Sequence, residues 1–570
     1  MRTKVFISTI LCISLLMVST CASSLQIPKT QIVHPSAHIQ YAISTVKPVS
    51  KTYSHALTSG YNGSGPILWE NILPSDYATV SIGNNDTQIF TESILGDYFY
   101  GVCFQLYSTQ GDGQARWQYY VNNTGYGQID AAKERDLLVG IASNNILQVE
   151  QPPFQRLYKW TSASSTPDWT FDIPASYHVF QGGLAENNLV LSGDGTRVIL
   201  AATNTTNNLI RLYQFDADTG TLLTTYTLHL TNPNLASVAS LDVTRDGSLV
   251  FIAYYSGACL INLTTQTILW TNDVPLGGLS GDGSTLVSFA DANTMSIIVL
   301  EWNATSQLYQ ERLRQPVLPY GWTLLANAHP VDVSDDGSTI IIGCGGNVTA
   351  PPINQTKTIL FDSHSGKLWE YTTHSRGFDI IFDVRLSRTG GRAIVASTGD
   401  NVSSVDQVRV FDRNNSHPRF SIHTPGSVFT ADIAPDGVFA AAAAETSWMH
   451  SCDGQSFLYS LNTSGIEPPQ DLTTTFHGGR AFTLTIKNDD NATATNVLWT
   501  FSITGGICHQ ISFDSYGLVP TIPGHQTTTT AIEQLKGFGR IAAYVTINHA
   551  WYPITGWIIG PFIFLKHQPS

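Results

Sequence analysis

Sixteen histidines, seven cysteines and forty-three carboxylates are the groups that could carry chemistry in this chain of 570 residues. Their spacing is poor in catalytic patterns. Cys12 and Cys21 lie in the amino-terminal leader, and Cys103, Cys259, Cys344, Cys452 and Cys508 form neither a CxxC pair nor a Cys/His zinc spacing, so they read as buried small hydrophobes. The zinc-protease pattern His-Glu-x-x-His, the phosphate-binding Gly-x4-Gly-Lys-Ser/Thr loop and the Gly-x-Ser-x-Gly nucleophile elbow are all absent. Asp-rich stretches such as Asp335-Asp336-Gly337 and Gly111-Asp112-Gly113 have the oxygen chemistry that calcium wants. Their recurrence at one structural position explains them as turns instead. Ser192-Gly193-Asp194-Gly195-Thr196 is a turn of the same kind. No metal, cofactor or catalytic residue is therefore assigned.

That recurrence identifies the elements that position everything else. Val331-Asp332-Val333-Ser334-Asp335-Asp336-Gly337-Ser338-Thr339-Ile340-Ile341-Ile342 reads as strand, tight turn and β-branched strand, and Ile359 to Trp369 adds a second hairpin. The first hairpin returns at Asp194-Gly195, Asp246-Gly247, Asp282-Gly283 and Asp436-Gly437, with Gly390-Gly391 standing in once. The intervals are 52, 36, 54, 54 and 46 residues, so the period is real and one unit is short. Two weaker copies precede them, turning near Asn84-Asn85-Asp86 and Glu134-Arg135-Asp136. Both central residues of each Asp-Gly pair are expected at positive φ, as in tight hairpins. Four antiparallel strands per unit make a propeller blade, and strands such as Ile340 to Ile342, apolar on both faces, fit a sheet sandwiched between two others. The expected fold is all-β: an eight-bladed β-propeller, with seven blades as the alternative, over residues 65–462.

Closure of the ring is also legible. The last unit ends at Tyr459-Ser460-Leu461 without a following Leu-Trp strand, and Gly65-Pro66-Ile67-Leu68-Trp69-Glu70 matches Gly366-Lys367-Leu368-Trp369-Glu370. The amino-terminal strand is therefore expected to complete the last blade, removing two exposed edges. Trp69, Trp117, Trp169, Trp270 and Trp369 fall on outer strands, where they pack blade against blade. The Asp-Gly turns and Asp218-Thr219-Gly220 resemble the WD40-like and quinoprotein-like repeats of secreted microbial propellers. That resemblance implies architecture more than function. It also implies the main enzymatic alternative, a dehydrogenase dependent on pyrroloquinoline quinone; the adjacent cysteines by which such enzymes are recognised do not occur in this chain.

Residues 463–472, with Gly465, Pro468 and Pro469, read as a linker. Beyond it, Ala481 to Lys487, Val497 to Ile503, Thr527 to Thr530, Ile541 to Ile547 and Ile558 to Leu565 predict a β-sandwich of about seven strands over 473–566. Lys487-Asn488, Asn496-Val497-Leu498-Trp499, Gly505-Gly506, Ile522-Pro523-Gly524 and Gly537-Phe538-Gly539 resemble the immunoglobulin-like modules called CARDB-like, found on archaeal and bacterial surface proteins. The resemblance implies a spacer, anchor or binding unit and an archaeal source.

The chain opens with Arg2 and Lys4, an apolar run to Val18 and small residues around Thr20 and Ala22, which reads as a signal peptide over 1–22, followed by an extension over 23–64. No later segment has the length of a membrane helix. Removing Arg2 and Lys4 takes the formal charge from −14 to −16, which argues against nucleic acid as partner. Charged residues are only 13% of the chain, and Asn-x-Ser/Thr acceptors recur at Asn62, Asn85, Asn122, Asn204, Asn262, Asn303, Asn347, Asn354, Asn401, Asn414, Asn462 and Asn491. A secreted glycoprotein that binds a protein or glycan at the cell surface is the expectation.

Overall fold

The computed structural model describes residues 66–566, with breaks at connections between strands. The signal peptide, the extension, most of the linker, Cys452 and Cys508 lie outside the described residues. Those described contain strands and turns and no helix.

From Ile67 to Asn462 the strands form eight antiparallel sheets. In chain order these are the first sheet (77–122), the second (126–172), the third (189–229), the fourth (238–272), the fifth (277–316), the sixth (322–374), the seventh (381–422) and the eighth (427–462). The eighth has three strands of its own and takes Ile67–Leu73 as its fourth. That strand lies antiparallel to Ser456–Asn462 with Glu70 opposite Tyr459, the closure that the Leu-Trp match predicts. Each sheet packs on the next and the eighth packs on the first, so the sheets make the closed ring of a β-propeller.

Burial explains the composition of the strands. Val198, Ile199, Leu200, Val250, Phe251, Ile252, Ile340, Ile341 and Ile342 are fully buried on both faces, because each middle strand contacts a neighbouring sheet on either side. The core is accordingly a series of apolar layers between sheets, such as the one joining Ile199, Ala201 and Leu212 to Val250, Ile252 and Ile261.

The Asp-Gly turns differ from the expectation in one respect. Gly195, Gly247, Gly283, Gly337, Gly390 and Gly437 have φ between 65° and 73°, and none of the preceding residues is left-handed. The aspartate instead sits in an ordinary conformation and caps the turn. Asp194 Oδ1 accepts from Ser192 Oγ at 2.7 Å and from Thr196 N at 2.8 Å, while Gly195 N donates to Ser192 O. In the third to sixth sheets the repeating unit is thus Ser/Thr-x-Asp-Gly-Ser/Thr, in which side-chain oxygens satisfy the turn's amides.

Alternation of strands puts these turns at one end of the strands, the turn face, and the starts of the inner strands at the other, the loop face.

The carboxyl-terminal strands form two further sheets. One orders Leu472–His477, Phe482–Asn488 and Thr527–Ile532, and the other orders Ile511–Ile522, Ala494–Gly505, Gly537–Ile547, Ala550–Gly560 and Phe562–Leu565. Phe482, Leu484 and Ile486 from the first meet Trp499, Phe501, Ile541 and Ile558 from the second in one buried core. Sequence reading missed the strands Leu472–His477 and Ile511–Ile522. It also merged two at the end: the run expected from Ile558 to Leu565 breaks at Gly560, whose φ of 61° turns the chain back on itself.

Candidate functional site

The innermost strands of all eight sheets surround an axial cavity of about 270 Å³. A ring of this kind creates a problem at its centre: the inner strand of each sheet has an unpaired edge facing its neighbour, and buried amides without partners are costly. Four aspartates solve it. Asp130, Asp242, Asp332 and Asp432 occupy one position in the second, fourth, sixth and eighth sheets. In each, one carboxylate oxygen accepts from the next amide of its own strand, at 2.8 to 2.9 Å. The other accepts from the following sheet: from Leu191 N at 2.7 Å, Leu279 N at 2.8 Å, Leu386 N at 2.6 Å and Ile82 N at 2.7 Å. Between them, the third, fifth, seventh and first sheets carry Val190, Gly278, Arg385 and Ser81 at the same position. The inner ring is therefore a four-fold repeat of sheet pairs.

Arg385 brings the only strong cation of that layer into the cavity among the described residues. Its Nε lies 3.0 Å from Asp383 Oδ1, and its Nη1 lies 3.5 Å from His329 Nε2. Burial pushes the carboxyls up, to about 6 for Asp242, about 7 for Asp332 and about 6 for Asp383, with the nearby guanidinium opposing the rise. Asp130 moves in the same direction for the same reason. Burial works against the charge of Arg385 too, but Asp383, Asp332, Asp432 and Asp130 more than offset it and hold the guanidinium above its ordinary value. Desolvation, reinforced by Arg385, drives His329 well below the ordinary histidine range, so its ring is neutral.

On the turn face the cavity is bridged by long side chains. Glu134 of the second sheet accepts from Arg245 of the fourth and Arg388 of the seventh, each at 2.5 Å. Arg388 Nε stands 3.2 Å from Asp335 Oδ2 in the sixth, and Lys133 pairs with Asp432 and donates to Ile82 O. Toward the loop face the lining becomes aromatic, with Phe382 and Phe429 4.6 Å apart and Tyr77 6.3 Å from Phe429. Each charged group of the channel is thus paired with another or with backbone. Among the described residues no serine or threonine of the lining is hydrogen-bonded to His329, so the hydroxyl–imidazole pairing of a nucleophilic site is not assembled.

The perimeter is held by a second repeated device. The indole N–H groups of Trp69, Trp117, Trp169 and Trp369 each donate to a carbonyl of the following sheet: Ser108 and Thr109, Ser162, Ala217 and Arg413, at 2.8 to 3.2 Å. Trp270 packs in the layer between the fourth and fifth sheets. The tryptophans therefore join blade to blade, as their outer-strand spacing predicts, and none of them lines the cavity.

The remaining sequence-predicted positions scatter over the molecule. Asn122 and Asn414 are exposed; Asn262, Asn303 and Asn462 are half-buried and cap turns through Oδ1. Asn204 is buried, with Oδ1 accepting from Asn207 N. Asn62, Asn85, Asn347, Asn354, Asn401 and Asn491 lie outside the described residues. Cys103, Cys259 and Cys344 are free and buried, and burial pushes the Cys103 and Cys259 thiols up to about 12. The four aspartate staples escaped the sequence reading. Their signal was present in Asp242-Val243-Thr244-Arg245-Asp246-Gly247, Asp332-Val333-Ser334-Asp335-Asp336-Gly337 and Asp432-Ile433-Ala434-Pro435-Asp436-Gly437, where an aspartate precedes the turn aspartate by four residues in alternate units.

Fold and site together define a β-propeller whose axial cavity is lined by its own ion pairs. Among solved structures the chain is similar to the Dos1 propeller, at 13% identity and a TM-score of 0.45, over 70% of this chain and 96% of that one. No family model and no curated protein matches the chain.

Proposed function

We propose that this protein is secreted and binds a protein or glycan at the cell surface, with an eight-bladed propeller as the recognition scaffold and an immunoglobulin-like, CARDB-like module as spacer or anchor. The observation that carries the reading is the employment of the axial carboxylates. In a propeller enzyme the channel is where reactive groups converge; here Asp130, Asp242, Asp332 and Asp432 each have both oxygens engaged by backbone amides of two sheets. They act as staples. A residue so committed gains nothing by moving toward a substrate, and Arg245 and Arg388, both paired with Glu134, line the turn-face end of the cavity. Recognition then falls to the loop face, where connections are long and free of repeat constraints. Export is supported by the signal-like leader, and an acidic exterior with acceptors such as the exposed Asn122 and Asn414 suits a glycoprotein.

The competing reading, a quinone-dependent dehydrogenase, requires an aromatic platform beside the cofactor and a dedicated site on the axis. Among the described residues the cavity has the aromatic rings of Tyr77, Phe382 and Phe429 but neither a tryptophan nor the adjacent cysteines by which such enzymes are recognised. The test is to incubate the full chain with pyrroloquinoline quinone and calcium and to follow cofactor absorbance and dye-linked oxidation of alcohols and sugars. Absence of turnover is expected; stoichiometric quinone with turnover would establish the enzyme.

A further inference from the structure

The end of the carboxyl-terminal module carries an apolar surface that the fold does not use. In the five-stranded sheet, Gly537–Ile547 pairs with Ala550–Gly560, which pairs with Phe562–Leu565. Alternation sends Ile541, Ile558 and Ile563 inward, where they are at most 2% exposed, and sends their neighbours outward. The outward set is Phe538, Trp557, Ile559, Phe562 and Phe564, with exposures of 60%, 56%, 54%, 41% and 55%.

Register makes them one patch: Phe538 lies opposite Ile559, Ile559 opposite Phe562, and Trp557 opposite Phe564. Side chains of this size present 150–250 Å² each when free, so five half-exposed ones amount to roughly 500 Å². That is at the upper end of what the largest patch on a soluble monomer reaches. Among the described residues, the exposed large apolar side chains of the propeller lie on the outer strands of different sheets, with at most two to a strand, as with Leu68 and Ile72 or Leu222 and Leu223.

Charge indicates what covers it. Arg540 stands opposite Trp557, the Arg480 guanidinium lies 5.8 Å from the Phe562 ring centre, and the exposed Lys536 and Lys566 flank the strands. From Gln534 to Ser570 the chain has Lys536, Arg540 and Lys566 and not one aspartate or glutamate, although its overall formal charge is −14. A second copy docked on the same patch would bring these cations together, which opposes self-association. A surface that accepts aromatic side chains at a polar boundary and supplies negative charge around them is an anionic lipid bilayer: Trp and Phe partition to the interface, and Lys and Arg are drawn to acidic headgroups.

We infer that this face is a bilayer-docking surface, by which the module lies on an anionic membrane with Phe538, Trp557, Ile559, Phe562 and Phe564 inserted at the headgroup level. The inference rests on the attachment role proposed above and gives it a receptor.

The test is co-sedimentation of the full chain with vesicles of phosphatidylcholine alone and of phosphatidylcholine mixed equally with phosphatidylglycerol. Binding is expected only to the second. Each basic residue at such a surface strengthens binding about fivefold, so Arg540→Glu with Lys566→Glu should weaken it by at least about tenfold, as should high salt. Trp557→Ser with Phe564→Ser should abolish binding. These residues are exposed, so unchanged thermal unfolding should accompany the loss, and the charge variants decide the matter if the aromatic ones misfold. Absence of binding to either vesicle, or binding unaffected by both pairs of substitutions, overturns the inference. So does a dimer in sedimentation equilibrium that Trp557→Ser dissolves, since the face would then belong to a second copy. Retention on isolated cell envelope without vesicle binding would refute the bilayer and leave attachment through a protein or glycan standing.

Discussion

Asp432→Ala is the substitution that strikes the ring at its seam. Asp432 belongs to the eighth sheet, which closes on the first, and its Oδ2 accepts from Ile82 N at 2.7 Å, from Ser81 Oγ at 3.3 Å and from Lys133 Nζ. Its Oδ1 accepts from Ile433 N at 2.9 Å. Ile82 and Ile433 are both buried, so alanine would leave two amides without a partner, at about 1–3 kcal/mol each. The lysine contributes little more, because its side chain is 30% exposed and can turn to water. A total of about 2–6 kcal/mol follows.

Spread over a ring of this size, that energy moves the thermal midpoint by only a few degrees. Hydrogen exchange read by mass spectrometry is the sharper assay. At about 1.4 kcal/mol per tenfold, exchange of the amides in 77–83 should accelerate about thirtyfold or more, while 277–279 on the far side keeps its protection. Asp242→Ala should reverse the pattern, loosening Leu279 and sparing Ile82. If Asp432→Ala left exchange at 77–83 within threefold of the parent, or if both substitutions loosened every sheet alike, the staples would not be what holds neighbouring inner strands together.

Three further outcomes follow from the same chemistry. Asp242, Asp332 and Asp383 hold their protons more tightly folded than unfolded, so their contribution to stability is complete below the ordinary value of 3.8 and is lost as pH rises through about 6 to 7; thermal midpoints should be higher at pH 5 than at pH 8. Glu92 is fully buried, receives a hydrogen bond from Thr79 and is pushed from 4.5 up to about 8, so Glu92→Gln should be near neutral at pH 4 and increasingly stabilising as pH rises toward 8, by roughly 3–5 kcal/mol at pH 9, measured by denaturant midpoints. Gly337→Ala should destabilise by more than about 2 kcal/mol in the same measurement, because its φ of 67° strains any side chain and a Cβ would stand 2.2 Å from Thr285 Oγ1.

Much of the propeller was legible because local chemistry repeats. Ser/Thr-x-Asp-Gly-Ser/Thr announces the inner hairpin of four units, and the Leu-Trp pair marks the outer strand, so even the closing strand Ile67–Leu73 could be matched to its place. The alternation of Asp130, Asp242, Asp332 and Asp432 was equally visible but lacked a reason until the inner edges were brought together. What could not be read was contact between units: Glu134 with Arg245 and Arg388, or Arg385 with Asp383 and His329, joins residues that only ring closure assembles. The sandwich was read less well. Its strands are long and Thr-rich and share no repeated turn, so Leu472–His477 and Ile511–Ile522 were not singled out and the reversal at Gly560 was passed over.

The proposed binding at the cell surface is tested by retention of the purified full chain on isolated cell envelope across a range of concentrations. Saturable retention, competed by unlabelled protein, is the predicted result. Recovery of the whole protein in the supernatant at every concentration would contradict it.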